Sequence, residues 1–360
     1  RWDEADEEAP WLAVVRRLAL DANEEARQTG PWEISMPWWG FASVRDKFSA
    51  VIKGYGLGLG SGLQIGPEAA DLLRKSRRSA EGYSAAVGAA SIPGEELRRG
   101  LSDRRFARDL SPEQARNVGR LAAIPAGATF SVPGAGKTTE ALATFFYKTE
   151  EGDRLLVIAP KNAFAAWDEQ IEDCMPTLGA KFVRLRGGRD NIARMLDDDP
   201  RFMLISYQQL ARVPDLIASH CAKVRVHVFL DESHRIKSGI GKQTARAALT
   251  LSHLPVGKLI MSGTPMPQAP EDLIPQFAFL YPEIPATADN VIDLMRPVYV
   301  RTTKTELGLP PVTRSKVLLP MAPLQAELYR LMKFEVAREA ASALGMRSKQ
   351  AFRALGRSVA

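Results

Sequence analysis

The chain has 360 residues, 45% hydrophobic and 25% charged, with a formal net charge of +6; this is ordinary globular composition, which excludes wholesale disorder, collagen and coiled-coil rods and allows about two domains. No run approaches the ~18 apolar residues of a membrane span and no secretory leader pattern opens the chain, so a soluble, cytoplasmic protein is expected. Two cysteines, Cys174 and Cys221, and four histidines without CxxC or HxxxH spacing exclude a disulfide framework and a structural zinc site as organising ideas.

The first hundred residues carry little that reads as chemistry. Acids crowd Asp3 to Glu8, and Trp11 to Arg27 places apolar residues at helical spacing up to a turn at Thr29, Gly30 and Pro31. Trp38, Trp39 and Phe41 suit core packing better than base stacking. Gly54, Gly56, Gly58, Gly60 and Gly62 alternate with larger residues without forming GxGxxG, which suits a glycine-lightened strand or loop. A basic cluster follows at Arg74, Lys75, Arg77 and Arg78. Residues 1–109 are expected to form a smaller accessory domain, mainly helical or α+β.

From Leu110 onward short β-branched runs alternate with helical segments: Ala128 to Ser131, Arg154 to Ala159, Lys181 to Leu185, Phe202 to Ser206, Val224 to Leu230 and Lys258 to Met261. Such alternation predicts an α/β lobe, a parallel sheet covered by helices on both faces, with ligands at the carboxyl ends of the strands. Three motifs fall at those ends. Ser131-Val132-Pro133-Gly134-Ala135-Gly136-Lys137-Thr138, with Thr139 opening a helix, has the strand, loop and helix context of a phosphate loop. Its N–H groups and helix N-terminus would meet phosphate oxygens, Lys137 would add a point charge, and Thr138 would ligate magnesium. Ser131 stands where the strict pattern has glycine, and Pro133 lacks an N–H that could have served as a donor. Asp231-Glu232-Ser233-His234 ends an apolar strand 94 residues beyond Lys137. Adjacent carboxylates there suit Asp231 to the metal and Glu232 to the general base that polarises a water. Ser262-Gly263-Thr264-Pro265 closes the next strand, where Ser262 and Thr264 could hydrogen-bond to His234 and report the state of the γ-phosphate. From Arg301 to Ala360 lie eleven basic residues against four acidic ones, which suits either a phosphate backbone or a solvated helix face.

In this order the motifs resemble the first RecA-like lobe of superfamily-two helicases, within them the Swi/Snf-like DNA translocases, over about Leu110 to Met332. Leu155 to Pro160 with Trp167 resembles motif Ia, Ile205-Ser206-Tyr207 resembles Ib, and DESH stands where the family shows DEAH. The stretch from Ser262 through Glu271, Leu273 and Phe279 to Pro282 is similar to motif III. Arg301, Lys304 and Leu309-Pro310-Pro311 match the basic-then-proline signature that closes the lobe, and Leu110 and Gln114 lie where a Q-motif would read adenine through the Gln amide.

The resemblance implies a RecA-like P-loop NTPase lobe over 110–311, flanked by the accessory domain and by the start of a helical protrusion or linker over 312–360. It implies ATP and Mg2+ as cofactors, duplex DNA as partner, and Lys161, Asn162, Ser206, Tyr207, Arg301 and Lys304 as nucleic-acid contacts. Protein partners are expected through residues 1–109. The chain begins at Arg1 and stops at Ala360 within a helical pattern, so it reads as part of a longer protein whose second lobe supplies transition-state arginines, and the piece alone should hydrolyse ATP poorly. Competing readings are a DEAD/DEAH-type RNA or single-strand helicase and a nucleotide-gated scaffold. A role in bacterial antiphage defence or nucleoprotein remodelling is expected from resemblance alone.

Overall fold

The computed structural model describes residues 14, 16–17, 26–30, 33–36, 81–308 and 319–343. Two compact units, Arg1–Leu309 and Pro310–Ala360, divide the chain. The tryptophan pair, the alternating glycines and the basic cluster at 74–78 lie outside the described residues.

Residues 14, 16 and 17 are helical, as the periodicity predicts, but Arg27 belongs to a strand. β1 (Arg27–Gly30) pairs antiparallel with β2 (Glu33–Ser35), so Thr29 and Gly30 belong to a strand and do not end a helix, and Pro31 lies outside the described residues.

The lobe is a seven-stranded sheet of β3 (Ala126–Thr129), β4 (Arg154–Ala159), β5 (Val183–Arg184), β6 (Phe202–Ser206), β7 (Val226–Asp231), β8 (Gly257–Met261) and β9 (Tyr299–Val300), in spatial order β5-β6-β4-β7-β8-β3-β9. Every pairing in it is parallel, so each connection crosses a face of the sheet. Strand β9 was not anticipated, because two residues carry no periodicity. The first strand ends two residues earlier than its composition suggests, while Phe130 and Val132 continue as donors to Val300 and Thr302 carbonyls at 2.9 and 3.1 Å.

Alternation along β4 divides the core. Leu155, Val157 and Ala159 face one layer, built by α1 (Gly94–Asp103), α2 (Pro112–Ala122), α3 (Lys137–Lys148) and α4 (Phe164–Cys174). Leu156 and Ile158 face the other, with α5 (Arg189–Asp197), α6 (Pro214–Lys223), α7 (Gln243–Leu249) and α8 (Ile274–Leu280). Leu97, Leu101 and Phe106 are buried in the first layer beside Val118, Leu121 and Phe145, so the packed lobe reaches upstream of residue 110. The aromatic contacts of that layer, such as Phe145 against Phe146 and Phe229, add to a burial of about 1.5–3 kcal/mol per large side chain. In the second unit, α9 (Pro323–Ala343) is one continuous helix. Among the described residues no helix is long and apolar enough to cross a membrane.

Candidate nucleotide site

Register brings the motifs to one edge. Thr129 pairs with Met261, and Met261 pairs with Asp231, so the phosphate loop and the acidic pair leave the sheet two strands apart with the SGTP segment between them. Two inter-strand spacings are about 10 Å, the reach of a nucleotide's phosphate chain with its metal. The loops also touch: a Cβ at Gly263 would lie 3.1 Å from the Pro133 ring.

The loop from Ser131 curls through Gly134 and Gly136, both at positive φ, into the N-terminus of α3. Gly136 has no room for a side chain, because a Cβ would come 2.2 Å from Gln114 Nε2. Lys137 Nζ rests on the carbonyls of Ser131 and Val132, at 3.1 and 3.5 Å. Half-buried Thr138 makes no hydrogen bond to another described residue, which leaves its hydroxyl available to a metal. Thr139 is buried and its hydroxyl donates to Gln170 Oε1 at 2.7 Å, so only its backbone can serve a phosphate. Pro133 is exposed at the rim.

Gln114 is more engaged than an adenine reader needs to be. It completes a capping box with Ser111 at the start of α2, accepting from Ser111 N at 3.1 Å, and its Nε2 donates to Ala135 O at 3.1 Å. Its carbonyl is thereby taken by the cap, and one Nε2 proton is left for a base.

Asp231 Oδ2 accepts from Trp167 Nε1 at 3.0 Å, and Oδ1 accepts from Glu232 N at 2.9 Å. Burial raises its pKa, the Glu232 charge adds to that rise, and the Trp167 bond and Lys137 charge oppose it. A cation would replace those opposing contributions with a stronger one, so the carboxylate is suited to a divalent metal. Glu232 is held at φ 50° and ψ 53°, a left-handed conformation costing about 1–3 kcal/mol for a non-glycine residue. This turn leaves its carboxylate 41% exposed and 3.4 Å from His234 Nδ1. The donor set of Thr138 hydroxyl, Asp231 carboxylate and Lys137 ammonium fits a magnesium-bound triphosphate.

His234 Nδ1 lies 3.0 Å from Ser262 Oγ, the link expected from the sequence, and Ser262 Oγ also accepts from Thr264 N at 3.1 Å. The Thr264 side chain points outward as an exposed group, so its backbone joins the link. A second link was not expected. Ser233 donates to Gln276 Oε1 at 2.6 Å, and Gln276 Nε2 donates to Pro265 O at 2.7 Å, both inside the core. The serine that departs from the family's alanine thus has a buried partner.

Sequence reasoning also missed a polar cluster beneath the loop. Buried Glu140 accepts from Asn117 Nδ2 at 2.7 Å and from Thr129 Oγ1 at 2.6 Å. Ser131 Oγ accepts from Thr302 N at 3.0 Å and lies within reach of Thr129 and Asn117. Ser131 is therefore a buried hub and not merely a substitute for glycine. The available signal was a lone acid in the apolar stretch Thr139 to Tyr147.

The expected nucleic-acid contacts separate into two groups. Lys161, Asn162, Arg301 and Lys304 are exposed. Ser206 and Tyr207 are corrections: both are buried, Ser206 Oγ accepts from Gln209 N at 3.2 Å as a helix cap, and Tyr207 donates to Asp231 O at 2.8 Å. Burial raises the Tyr207 phenol well above its ordinary pKa, keeping it a donor. Tyr207 thus supports the acidic pair from within, and neither side chain has surface to offer a phosphate backbone.

The SNF2-related domain family matches residues 126–290, a span holding both the phosphate loop and the acidic pair. Those residues are similar to the SNF2-related domain. The mouse DNA annealing helicase and endonuclease ZRANB3 is 28% identical over 154 residues, 42% of this chain and 14% of that protein. The Xenopus laevis SWI/SNF-related matrix-associated actin-dependent regulator of chromatin subfamily A-like protein 1 is 30% identical over 150 residues, 41% of this chain and 14% of its own length. The Sulfolobus solfataricus SWI2/SNF2 ATPase core, solved in complex with dsDNA, aligns with a TM-score of 0.46 at 20% identity, covering 66% of this chain and 54% of that one. The matched stretch thus spans a small part of the curated relatives. Gln114, Arg301 and Lys304 lie outside the SNF2-related span. Over that span the chain is similar to Swi/Snf-like proteins.

Proposed function

We propose that this lobe binds Mg·ATP between the Lys137 loop and the Asp231–Glu232 pair and serves an ATP-driven motor on double-stranded DNA. The observation carrying this reading is the register Thr129, Met261, Asp231, which sets loop and carboxylates on one edge. The relatives named as a DNA annealing helicase and as a chromatin regulator support DNA as the track.

In this reading Lys137 leaves the Ser131 and Val132 carbonyls for phosphate oxygens, and backbone N–H groups from Gly134 onward donate to the phosphate chain. Thr138 and Asp231 would hold magnesium, which when bound would supply positive charge beside the phosphates. Glu232, turned outward by its left-handed backbone, takes a proton from the attacking water, and His234 passes the state of that carboxylate to Ser262. Lys161, Asn162, Arg301 and Lys304 grip DNA phosphates without reading bases. An arginine from a second lobe would add about 10³–10⁵ in rate, so the 360-residue chain alone turns over slowly. A cytoplasmic location and a part in antiphage defence or nucleoprotein remodelling are further parts of this proposal.

The test is ATP binding, ATPase activity with duplex DNA and with RNA, and the salt dependence of DNA affinity. If Lys161, Arg301 and Lys304 each meet a phosphate, log Kd changes with log salt at a slope of about 2.7. Stimulation by RNA but not duplex DNA, or affinity indifferent to salt, overturns the reading.

A further inference from the structure

We propose that α2 is a strut through which nucleotide occupancy of the phosphate loop sets the position of the 301–306 turn, with Arg116 and Asn117 as its positioning residues. The inference rests on the proposed function, since it joins the nucleotide site to two of the proposed DNA contacts, Arg301 and Lys304.

Three successive faces of one helix make the connection. Gln114 at its N-terminus holds Ala135 O and fills the space beside Gly136. One turn on, Asn117 Nδ2 donates to Glu140 Oε1 at 2.7 Å and to Thr302 Oγ1 at 2.9 Å, so a single buried amide bridges α3 and the turn. On the solvent side Arg116 donates to Arg301 O at 3.0 Å and pairs with Glu306 at 2.6 Å. Glu306 in turn accepts from Thr303 N at 2.7 Å, and these bonds hold its carboxyl down to about 2. Two bonds of Arg116 thus close on the short segment that presents Arg301 and Lys304, while its Nε and Nη2 also donate to Asn117 Oδ1 at 3.3 and 3.2 Å.

The turn is also zipped directly to the loop. Val132 N donates to Thr302 O at 3.1 Å and Thr302 N donates to Ser131 Oγ at 3.0 Å. The carbonyls of Ser131 and Val132 are the ones that Lys137 now occupies. When Lys137 moves to a phosphate, those two peptide groups lose a cationic partner, and the residues whose other polar atoms hold Thr302 are the ones that adjust. Two ligands that bias one bonded unit must affect each other's affinity reciprocally, typically 5–150-fold.

The experiment uses the full chain with a 20-base-pair duplex and a non-hydrolysable ATP analogue with Mg2+. DNA Kd is measured with and without analogue, and analogue Kd with and without DNA, for wild type, Arg116→Ala and Asn117→Ala, with thermal melting of each. Wild type is expected to show equal coupling factors of about fivefold or more in both directions. Arg116→Ala, at a half-exposed position, is expected to fold normally, keep its analogue Kd without DNA within about twofold, and bring both factors close to one. Asn117→Ala is expected to melt earlier with coupling likewise lost, and Arg116→Lys to restore part of it through Glu306. Full coupling in a folded Arg116→Ala protein overturns the strut while leaving the motor reading intact. Wild type that binds neither ligand, or binds both independently, overturns the strut, and the former outcome takes the proposed function with it.

Discussion

The two edges of the central sheet both bury ionised groups, yet they are built differently. At the amino edge Asp153 is closed: it accepts from Arg225 Nε at 2.6 Å, His227 Nε2 at 3.0 Å and Glu150 N at 3.0 Å. Burial pushes its pKa up, but those partners hold it below the ordinary carboxylate range, while burial keeps His227 low and neutral despite Asp153. Lys148 and Lys258 on the same edge rest against the Ile124 and Ser252 carbonyls, their ammonium groups pulled by burial to about 8 and about 7. At the carboxyl edge the groups are held but not closed. Asp231 has protein donors on both oxygens and a pKa still raised, Glu232 is turned toward solvent in a strained conformation, and Thr138 has a free hydroxyl. Buried charge is therefore a poor marker of a site by itself. Unfilled coordination at the carboxyl ends of parallel strands is the better one.

The contrast is broken most sharply by substitution at the open edge. Glu232→Gln should cut ATP turnover by about 10²–10⁴-fold while analogue binding persists, read by steady-state kinetics and titration. At the closed edge, Asp153→Ala leaves buried His227 without its partner and Arg225 with Glu150 alone, and should cost roughly 1–3 kcal/mol in urea unfolding, with turnover per folded molecule unchanged. Because the folded Asp153 pKa is depressed, this stabilisation is present above the unfolded value near pH 4 and fades as pH falls further, so wild type and variant converge in acid. An Asp153 variant that lost turnover at full stability would erase the distinction between the edges. Trp167→Phe sharpens it: without the indole bond to Asp231, half-maximal Mg2+ should rise about tenfold with little change in melting. The smallest effect is expected from Lys258→Met, which removes an enclosed ammonium and should raise the melting temperature at pH 7. Between about pH 7 and pH 10.5 the unfolded chain binds the extra proton, so wild-type stability rises with pH and the gap closes.

Much of this architecture was legible because it depends on local pattern. The runs at 154–159 and 202–206 match β4 and β6 residue for residue, since both strands are buried on two faces and bounded by turn residues. The phosphate loop and the DESH and SGTP segments were found by spacing, and the His234–Ser262 bond follows from their order. Tyr207 and Ser206 went astray because a motif letter does not state which way a side chain faces; a tyrosine at a strand end can serve a carbonyl inside as readily as a phosphate outside. The helix expected up to Arg27 does not include that residue because β1 and β2 complete each other's backbone bonds, a pairing that periodicity within one segment does not register.

What the linear chain determined by itself is the parallel α/β lobe and the identity of the groups at its carboxyl edge, because strand propensity, glycine conformation and helix capping act over a few residues. What only the folded molecule decided is which polar side chains close on one another. Asn117 meets Glu140 and Thr302 across separations of 23 and 185 residues, and Ser233 meets Gln276 across 43. Such bonds are selected by the packing of whole layers, since a buried donor must find whatever acceptor the fold places beside it.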